Sequence, residues 1–278
     1  MGDCKYCGKP AGILRSKHKE CQHKFDSGIN EIVALVKSSI SYESDLKEIK
    51  EQASKIAISN YVAETDLYKA LHSGWRLAIE KAFDDGVLSE KEENRLKEMI
   101  EEFKFNKDVL NSDPAYIKIV QGSVLREVLE GKIPERIQMG GNLPFNLQKS
   151  EKIVWVFQNV KYCEMRTYKQ YAGNYQGFSV RVAKGLYYRA GAFRGNPVET
   201  TQLVHADTGI LAVTNNHIYF SGPTKSFRIK FDKIVSFETY SDGLGIQRDA
   251  QTAKPQIFVT GDGWFISNLV MNLAKMSS

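Results

Sequence analysis

"GILAVTNNHIYFSGPTKSFRIKFDKIVSFETYSDGLGIQ", residues 209–247, is the stretch whose reading decides the fold. It is made of short β-branched and aromatic runs, each bounded by Gly, Asn, Asp or Pro, the pattern of strands joined by tight turns. Asn215–Asn216 reads as the tip of a hairpin, because asparagine tolerates the left-handed backbone that a two-residue turn asks for. "SFRIKF" (226–231) and "KIVSFETYSDGLGIQ" (233–247) continue as further strands.

The same pattern extends in both directions. Downstream comes "PQIFVTG" (255–261), then "DGWFISNLVMNLAKM" (262–276), a helix capped by Asp262 with Trp264, Phe265, Leu269, Val270 and Leu273 on one side. Upstream are "GLYYRAGAF" (185–193), "GFSVRV" (177–182), "KYCEMRTYKQYAG" (161–173) and "KIVWVFQNV" (152–160). Many consecutive strands closed by one amphipathic helix imply a strongly bent sheet or barrel with that helix over one end. Residues 132–150, with two prolines and Gly140–Gly141, read as a linker.

Ahead of the linker the apolar period is helical. Residues 26–40 offer Asp26 or Ser27 as N-cap and Ile29, Ile32, Val33, Leu35 and Val36 as the apolar face. Residues 44–58 continue with Leu46, Ile49, Ala53, Ile56 and Ala57. Residues 64–83 carry a Thr65 cap and Leu67, Leu71, Trp75, Ala78, Ile79 and Ala82. Ser89 and Glu92 form a capping box ahead of Leu96, Met99, Ile100 and Phe103. Asp113–Pro114 opens a last helix that stops at Gly131. The fold expected is therefore α+β: a small N-terminal motif (1–25), a helical bundle (26–131), a linker (132–150) and a β domain with a C-terminal helix (151–278).

The β region resembles the pleckstrin-homology-like superfold in its GRAM and bacterial forms. Gly209, Leu211, Thr214, Asn215 and Phe220 stand in the run G-x-L-x-x-T-N-x-x-[hydrophobic]-x-F, and Phe227, Ile229, Phe231 and Ile234 in the strand that follows it. The resemblance implies a bent PH-like barrel closed by its terminal helix, which binds a protein partner or a membrane surface; self-association is a further expectation. It supports fold more than function, because this superfold hosts lipid, peptide and protein binding alike. Lipid-binding members carry a basic cluster in the loop joining the first two strands, and Lys169 is the only nearby candidate. Arg248, Asp249 and Lys254, with Lys184, Arg189, Arg194, Tyr187 and Tyr188, make a mixed basic and aromatic surface. The phrase "DDGVLSEKE" (84–92) resembles a helix junction of tellurite-resistance B-like domains.

At the other end, "CKYCGKPAGILRSKHKEC" (4–21) holds three of the four cysteines. Cys4-x2-Cys7-x10-His18-x2-Cys21 is the spacing of a four-ligand zinc site, in which each x2 pair lets one turn present two donors to the ion. Pro10–Ala11–Gly12 are expected at the tip of the intervening loop. His23 competes with His18 as fourth ligand; His18 is preferred because His-x2-Cys fits one helical turn. A redox pair would need a CxxC at the start of a helix in a βαβ unit, which the pattern lacks. Four protein ligands and no adjacent carboxylate base make the expected role structural, with one Zn2+ per chain supplying folding energy that so short a segment cannot bury.

Charge is uneven. Residues 1–24 carry Lys5, Lys9, Arg15, Lys17, Lys19 and Lys24 against Asp3 and Glu20, a net of +4, leaving +1 of the total +5 for the rest. A basic head of this kind can meet phosphates, so a nucleic-acid-associated role is the alternative to a non-enzymatic adaptor. Phosphate-loop, G-x-S-x-G and H-E-x-x-H patterns are all missing from the sequence. "KAFDDGVLSEKEE" (81–93) imitates half of an EF-hand loop at Asp85, Gly86, Leu88 and Glu92, but Lys81 and Phe83 stand where calcium ligands would be; a turn followed by a cap is the simpler reading. Cys163 reads as a buried inert thiol, His205 with Asp207 as a loop pair, and His72 and His217 as structural or exposed. No catalytic residue is assigned. The chain carries no signal-peptide core, few cysteines and no bilayer-length apolar run, so a cytoplasmic location is expected.

Overall fold

The computed structural model of the chain describes residues 2–12, 15–41, 44–136, 144–171, 180–183, 186–188, 197–250 and 254–277. The mixture is α+β, in two compact units, Met1–Arg126 and Glu127–Ser278. No helix among the described residues is long and apolar enough to cross a membrane.

The first unit is helical: α1 (Lys19–Ser38), α2 (Leu46–Ser59), α3 (Glu64–Ala82), α4 (Glu90–Glu102), a short α5 (Lys107–Leu110) and α6 (Pro114–Leu129), whose last residues cross into the second unit. The expected cap holds at α4, where Ser89 with Glu92 forms the reciprocal capping box, and Asp45 caps α2 by accepting from the Lys47 amide, a cap not named from the sequence. Two others differ. α1 begins at Lys19 with His18 as its N-cap, so Asp26 and Ser27 lie inside the helix. α3 starts after Ala63 and has no side-chain cap, so Thr65 is already helical. In both, helical packing extends the element past the residue that local capping chemistry favours. The core gathers Ile32, Val36, Ala53, Leu71, Ile79, Leu96 and Met99 around Trp75, whose indole N–H donates to the Leu96 carbonyl at 3.1 Å. Phe105 packs edge-on or tilted against Tyr68, His72 and Trp75.

The second unit is a curled antiparallel sheet. Its strands are β1 (Ile153–Tyr171), β4 (Pro197–Thr214), β5 (His217–Ser221), β6 (Ser226–Lys230), β7 (Ile234–Tyr240), β8 (Gly243–Arg248) and β9 (Gln256–Val259); β2 (Val180–Ala183) and β3 (Leu186–Tyr188) pair separately. The order β6-β5-β4-β1-β9-β8-β7 puts β1 at the centre, and α7 (Gly263–Met276) rests on β7 and β8.

The runs at 152–160 and 161–173, expected as separate strands, belong to one. Asn159, with a φ of 55°, falls in a register shift between Phe157 and Val160 that bends β1 rather than ending it. β4 is also longer than its apolar run, because β1 offers it a partner from Ile153↔Thr214 to Tyr171↔Pro197. Neither Asn215 nor Asn216 takes a positive φ. The hairpin closes instead through the Thr214 hydroxyl, which accepts from the amides of Asn216 (3.2 Å) and His217 (2.9 Å). On α7, Phe265, Ile266, Leu269, Val270 and Leu273 are buried, while Trp264 is 45% exposed and off the apolar face assigned to it. Phe265 meets Trp155 with ring centroids 4.7 Å apart. Tyr162, Phe220, Phe227 and Phe258 form the aromatic centre of the sheet's inner face.

Candidate metal centre

The first residues fold as a small hairpin. Asp3 bridges Pro10, the Cys4 amide donates to the Lys9 carbonyl at 2.8 Å and the Ala11 amide to the Gly2 carbonyl at 3.0 Å. The turn lies at Lys5–Cys7, and Gly8 leaves it with a φ of 69°, which an L side chain rarely adopts. Pro10 is therefore in the hairpin's return arm and not at a loop tip. The Lys5 amide reaches the Ser16 carbonyl at 2.9 Å, which brings the chain back toward the start of α1.

His18 is extended (φ −82°, ψ 147°) and Cys21 sits in the first turn of α1. The donor atoms of Cys4, Cys7, His18 and Cys21 all lie within 4.8 Å of one another, close enough to hold a metal ion. The Cys7 and Cys21 sulfurs stand 3.4 and 3.7 Å from His18 Nδ1. A tetrahedron built on metal–sulfur bonds of about 2.3 Å and a metal–nitrogen bond of about 2.0–2.1 Å has edges of about 3.5–3.8 Å. His23, two positions beyond Cys21, stands outside the group.

The second layer settles which imidazole nitrogen faces the sulfurs. His18 Nε2 lies 3.1 Å from the Pro10 carbonyl, which can only accept, so Nε2 carries the proton and Nδ1 is left with its lone pair toward the cysteines. This is why His18 gives α1 no side-chain cap: its ring is turned to the thiols. Burial pushes the Cys4 thiol up, but the backbone amides of Cys7, His18 and Tyr6 outweigh it and bring it down to about 6. Burial and hydrogen bonds with Cys7 and Cys4 hold the Cys21 thiol up at about 11, so a cation entering the group displaces that proton. Outside the ligands, the Tyr6 hydroxyl donates to Gln22 at 2.9 Å and its ring packs on Phe25 at 5.0 Å, fastening the hairpin to α1. Pro10, Tyr6 and Gln22 carry no motif that would single them out in the sequence.

The remaining candidates resolve into structural roles. Asp85 accepts from the Val87 amide and Ser89 caps α4, so the EF-hand imitation is a turn and a cap. Cys163 is half-buried in β1, opposite His205 and Ile257, and burial raises its thiol. His205 and Asp207 lie in β4 rather than in a loop; His205 reaches the Thr208 hydroxyl. Asp207 accepts from the Thr224 amide and hydroxyl and from the Lys225 amide, pinning the β5–β6 turn. His217 is buried and bonded to Glu151 at 2.6 Å, and His72 pairs with Asp113 at 3.2 Å. Lys184, Arg189 and Arg194, with the side chains of Lys169, Tyr187 and Tyr188, fall outside the described residues.

No protein-family model and no curated protein matches this chain. The chemistry of the centre therefore rests on its own donor set.

Proposed function

We propose that the chain is a non-enzymatic, zinc-bearing interaction protein, whose C-terminal unit is a PH-like domain that binds a protein or membrane-surface partner. The observation that carries it is the Cys4–Cys7–His18–Cys21 group, with His18 oriented by Pro10. Three sulfurs and one imidazole gathered within 4.8 Å of one another suit Zn2+ over harder cations, and four protein ligands leave no corner for a reacting water. Such an ion holds the fold of the N-terminal hairpin and does no chemistry. The PH-like reading is supported by the strand order, by the long central β1–β4 pair and by the helix following the last strand. The two carboxylates most deeply engaged in the second unit, Glu151 and Asp207, are occupied by internal partners, as in a scaffold.

Metal analysis of purified protein should return about one zinc per chain, and Cys21→Ser should lose it; wild-type protein without zinc refutes the metal half. For the partner half, a photo-crosslinking amino acid in place of the exposed Trp264 should trap a protein or lipid in cells that make this chain. Repeated failure to trap either refutes it.

One observation favours a second reading. Lys5, Lys9, Arg15, Lys17, Lys19 and Lys24 are all exposed around the centre. They could neutralise phosphates, and binding of that kind weakens steeply with added salt. A gel-shift titration over salt decides it: no shift even at low salt removes the nucleic-acid role.

A further inference from the structure

The second unit has a cavity of about 700 Å3 at one end of the curled sheet, between the later half of β1 and the segments flanking the β8–β9 connection. Its lining mixes charges: Arg166, Lys233, Arg248 and Lys254 against Glu164 and Asp249, four cations to two anions. Tyr162 and Gln256 also line it.

Gln256 does not fit a purely structural account. It is 6% exposed, and its Nε2 donates to the Tyr162 hydroxyl at 2.8 Å. That hydroxyl in turn donates to Glu164, which is held by Lys225 and Arg166. The chain of donors fixes the amide orientation: reversing it would leave Tyr162 with two acceptors and one proton. The oxygen Oε1 then has no partner among the described residues. A buried acceptor without a donor costs about 1–3 kcal/mol, so its retention beside a cavity points to a donor that arrives from outside.

We infer that this cavity binds a carboxylate-bearing peptide segment of a protein partner, with Lys233, Arg248 and Lys254 taking the carboxylate and Gln256 Oε1 accepting a peptide N–H. The inference rests on the reading of this unit as an interaction domain and names where and what it binds. Two features select this ligand. A phosphate monoester dianion offers acceptors only and leaves Gln256 unsatisfied, whereas an acidic peptide carries carboxylate oxygens and N–H donors a few ångströms apart. The surplus of two positive charges, with Glu164 and Asp249 in the wall, suits one or two carboxylates and repels a dense polyanion.

The test uses the full-length, zinc-loaded protein and a fluorescein-labelled six-residue glycine–serine peptide carrying two glutamates, read by anisotropy, with peptides that carry two glutamines or two lysines in their place beside it. Only the glutamate peptide should bind, more weakly as salt rises. Lys254→Glu and Arg248→Glu should each weaken it by about tenfold, the size expected for reversing a close ionic contact. Gln256→Leu should weaken it several-fold while its melting temperature is kept. If Gln256→Leu does not fold, the two surface reversals carry the test alone. Excess inorganic phosphate should compete poorly. Absence of glutamate-peptide binding, or binding indifferent to the reversals, overturns the inference. Binding through these residues to phosphatidylcholine vesicles containing phosphatidylinositol phosphate, without peptide binding, also overturns it. Such a failure is separate from failure of the interaction-domain reading, which is judged by crosslinking at Trp264, outside this cavity.

Discussion

Removing the metal should unfold the N-terminal hairpin and leave the helical bundle standing. The described part of the motif ahead of α1 comprises residues 2–12 and 15–18, and only Cys4 and Ala11 in it are fully buried apolar side chains. Ordering fifteen residues costs about 15 kcal/mol even at the low end of about 1 kcal/mol each. Two buried side chains return no more than about 6 kcal/mol. The shortfall of about 9 kcal/mol is close to the lower end of the roughly 10–16 kcal/mol that structural zinc contributes in small domains. α1 is anchored differently, since Ile32 and Val36 are fully buried in the helical core. Hydrogen exchange read by mass spectrometry, with and without a strong chelator, checks this. With zinc, the amides of Cys4, Lys5, Gly8 and Ala11, all hydrogen-bonded, should exchange slowly. After chelation they should exchange at the rate of an unstructured chain, while amides around Ile32 and Trp75 keep their protection. Slow exchange at Cys4 and Ala11 in the chelated protein would show that the hairpin holds itself together, and the reasoning would fail.

Three further outcomes follow from packing and charge. Glu151→Ala should lower the stability of the second unit by about 3 kcal/mol, because it strands Tyr219, His217 and the Gln148 amide around a side chain that is 0% exposed; a thermal melt should move down by about 6–12 °C. The carboxyls of Glu151 and Asp207 resist burial through their hydrogen bonds, with Tyr219 leading for Glu151 and the Thr224 amide for Asp207, and both titrate below their ordinary values of 4.5 and 3.8. Their contribution is complete above about pH 4.5 and drains away as pH falls through the lowered folded values; melts of Asp207→Asn should be less sensitive to acid than wild type, and equal sensitivity would count against it. Gly74→Ala would place a Cβ 2.6 Å from the Val36 Cβ and 3.0 Å from the Val33 carbonyl, so the usual gain in helix propensity of about 1 kcal/mol should be outweighed by overpacking of about 1–3 kcal/mol; a raised melting temperature would refute the tight α1–α3 crossing.

The parts of the molecule legible in sequence are those where local chemistry and tertiary packing agree. Ser89–Glu92 caps α4 and Asp262 caps α7 because nothing else competes for those amides. The grouping of Cys4, Cys7, His18 and Cys21 was legible because two x2 pairs leave little freedom in how they come together. Where tertiary partners extend an element, local signals misled. β4 absorbs His205 and Asp207 because β1 runs alongside it, and α1 starts at Lys19, well ahead of the Asp26 cap that local sequence favours. The hairpin at Asn215–Asn216 is the sharpest case, since a neighbouring threonine hydroxyl supplies the closure for which left-handed asparagines were expected.

Buried polar groups separate what holds this fold from what it presents to others. Glu151 meets His217, Tyr219, Thr214 and the Gln148 amide, and Asp207 collects the donors of a whole turn, so neither has capacity left for a ligand. Their mutation should cost stability and nothing else. Gln256 belongs to the same class of buried residue but stops one bond short, and it does so at the wall of a cation-rich cavity. Leucine there removes the unpaired Oε1 acceptor, a gain, and the Nε2 donor that Tyr162 receives, a loss, while Tyr162 keeps its bond to Glu164. The two effects oppose each other, so the melting temperature of the unbound unit should be kept while binding of the glutamate peptide weakens. Binding that falls while stability holds at one side chain is the signature that tells a binding residue from a packing one.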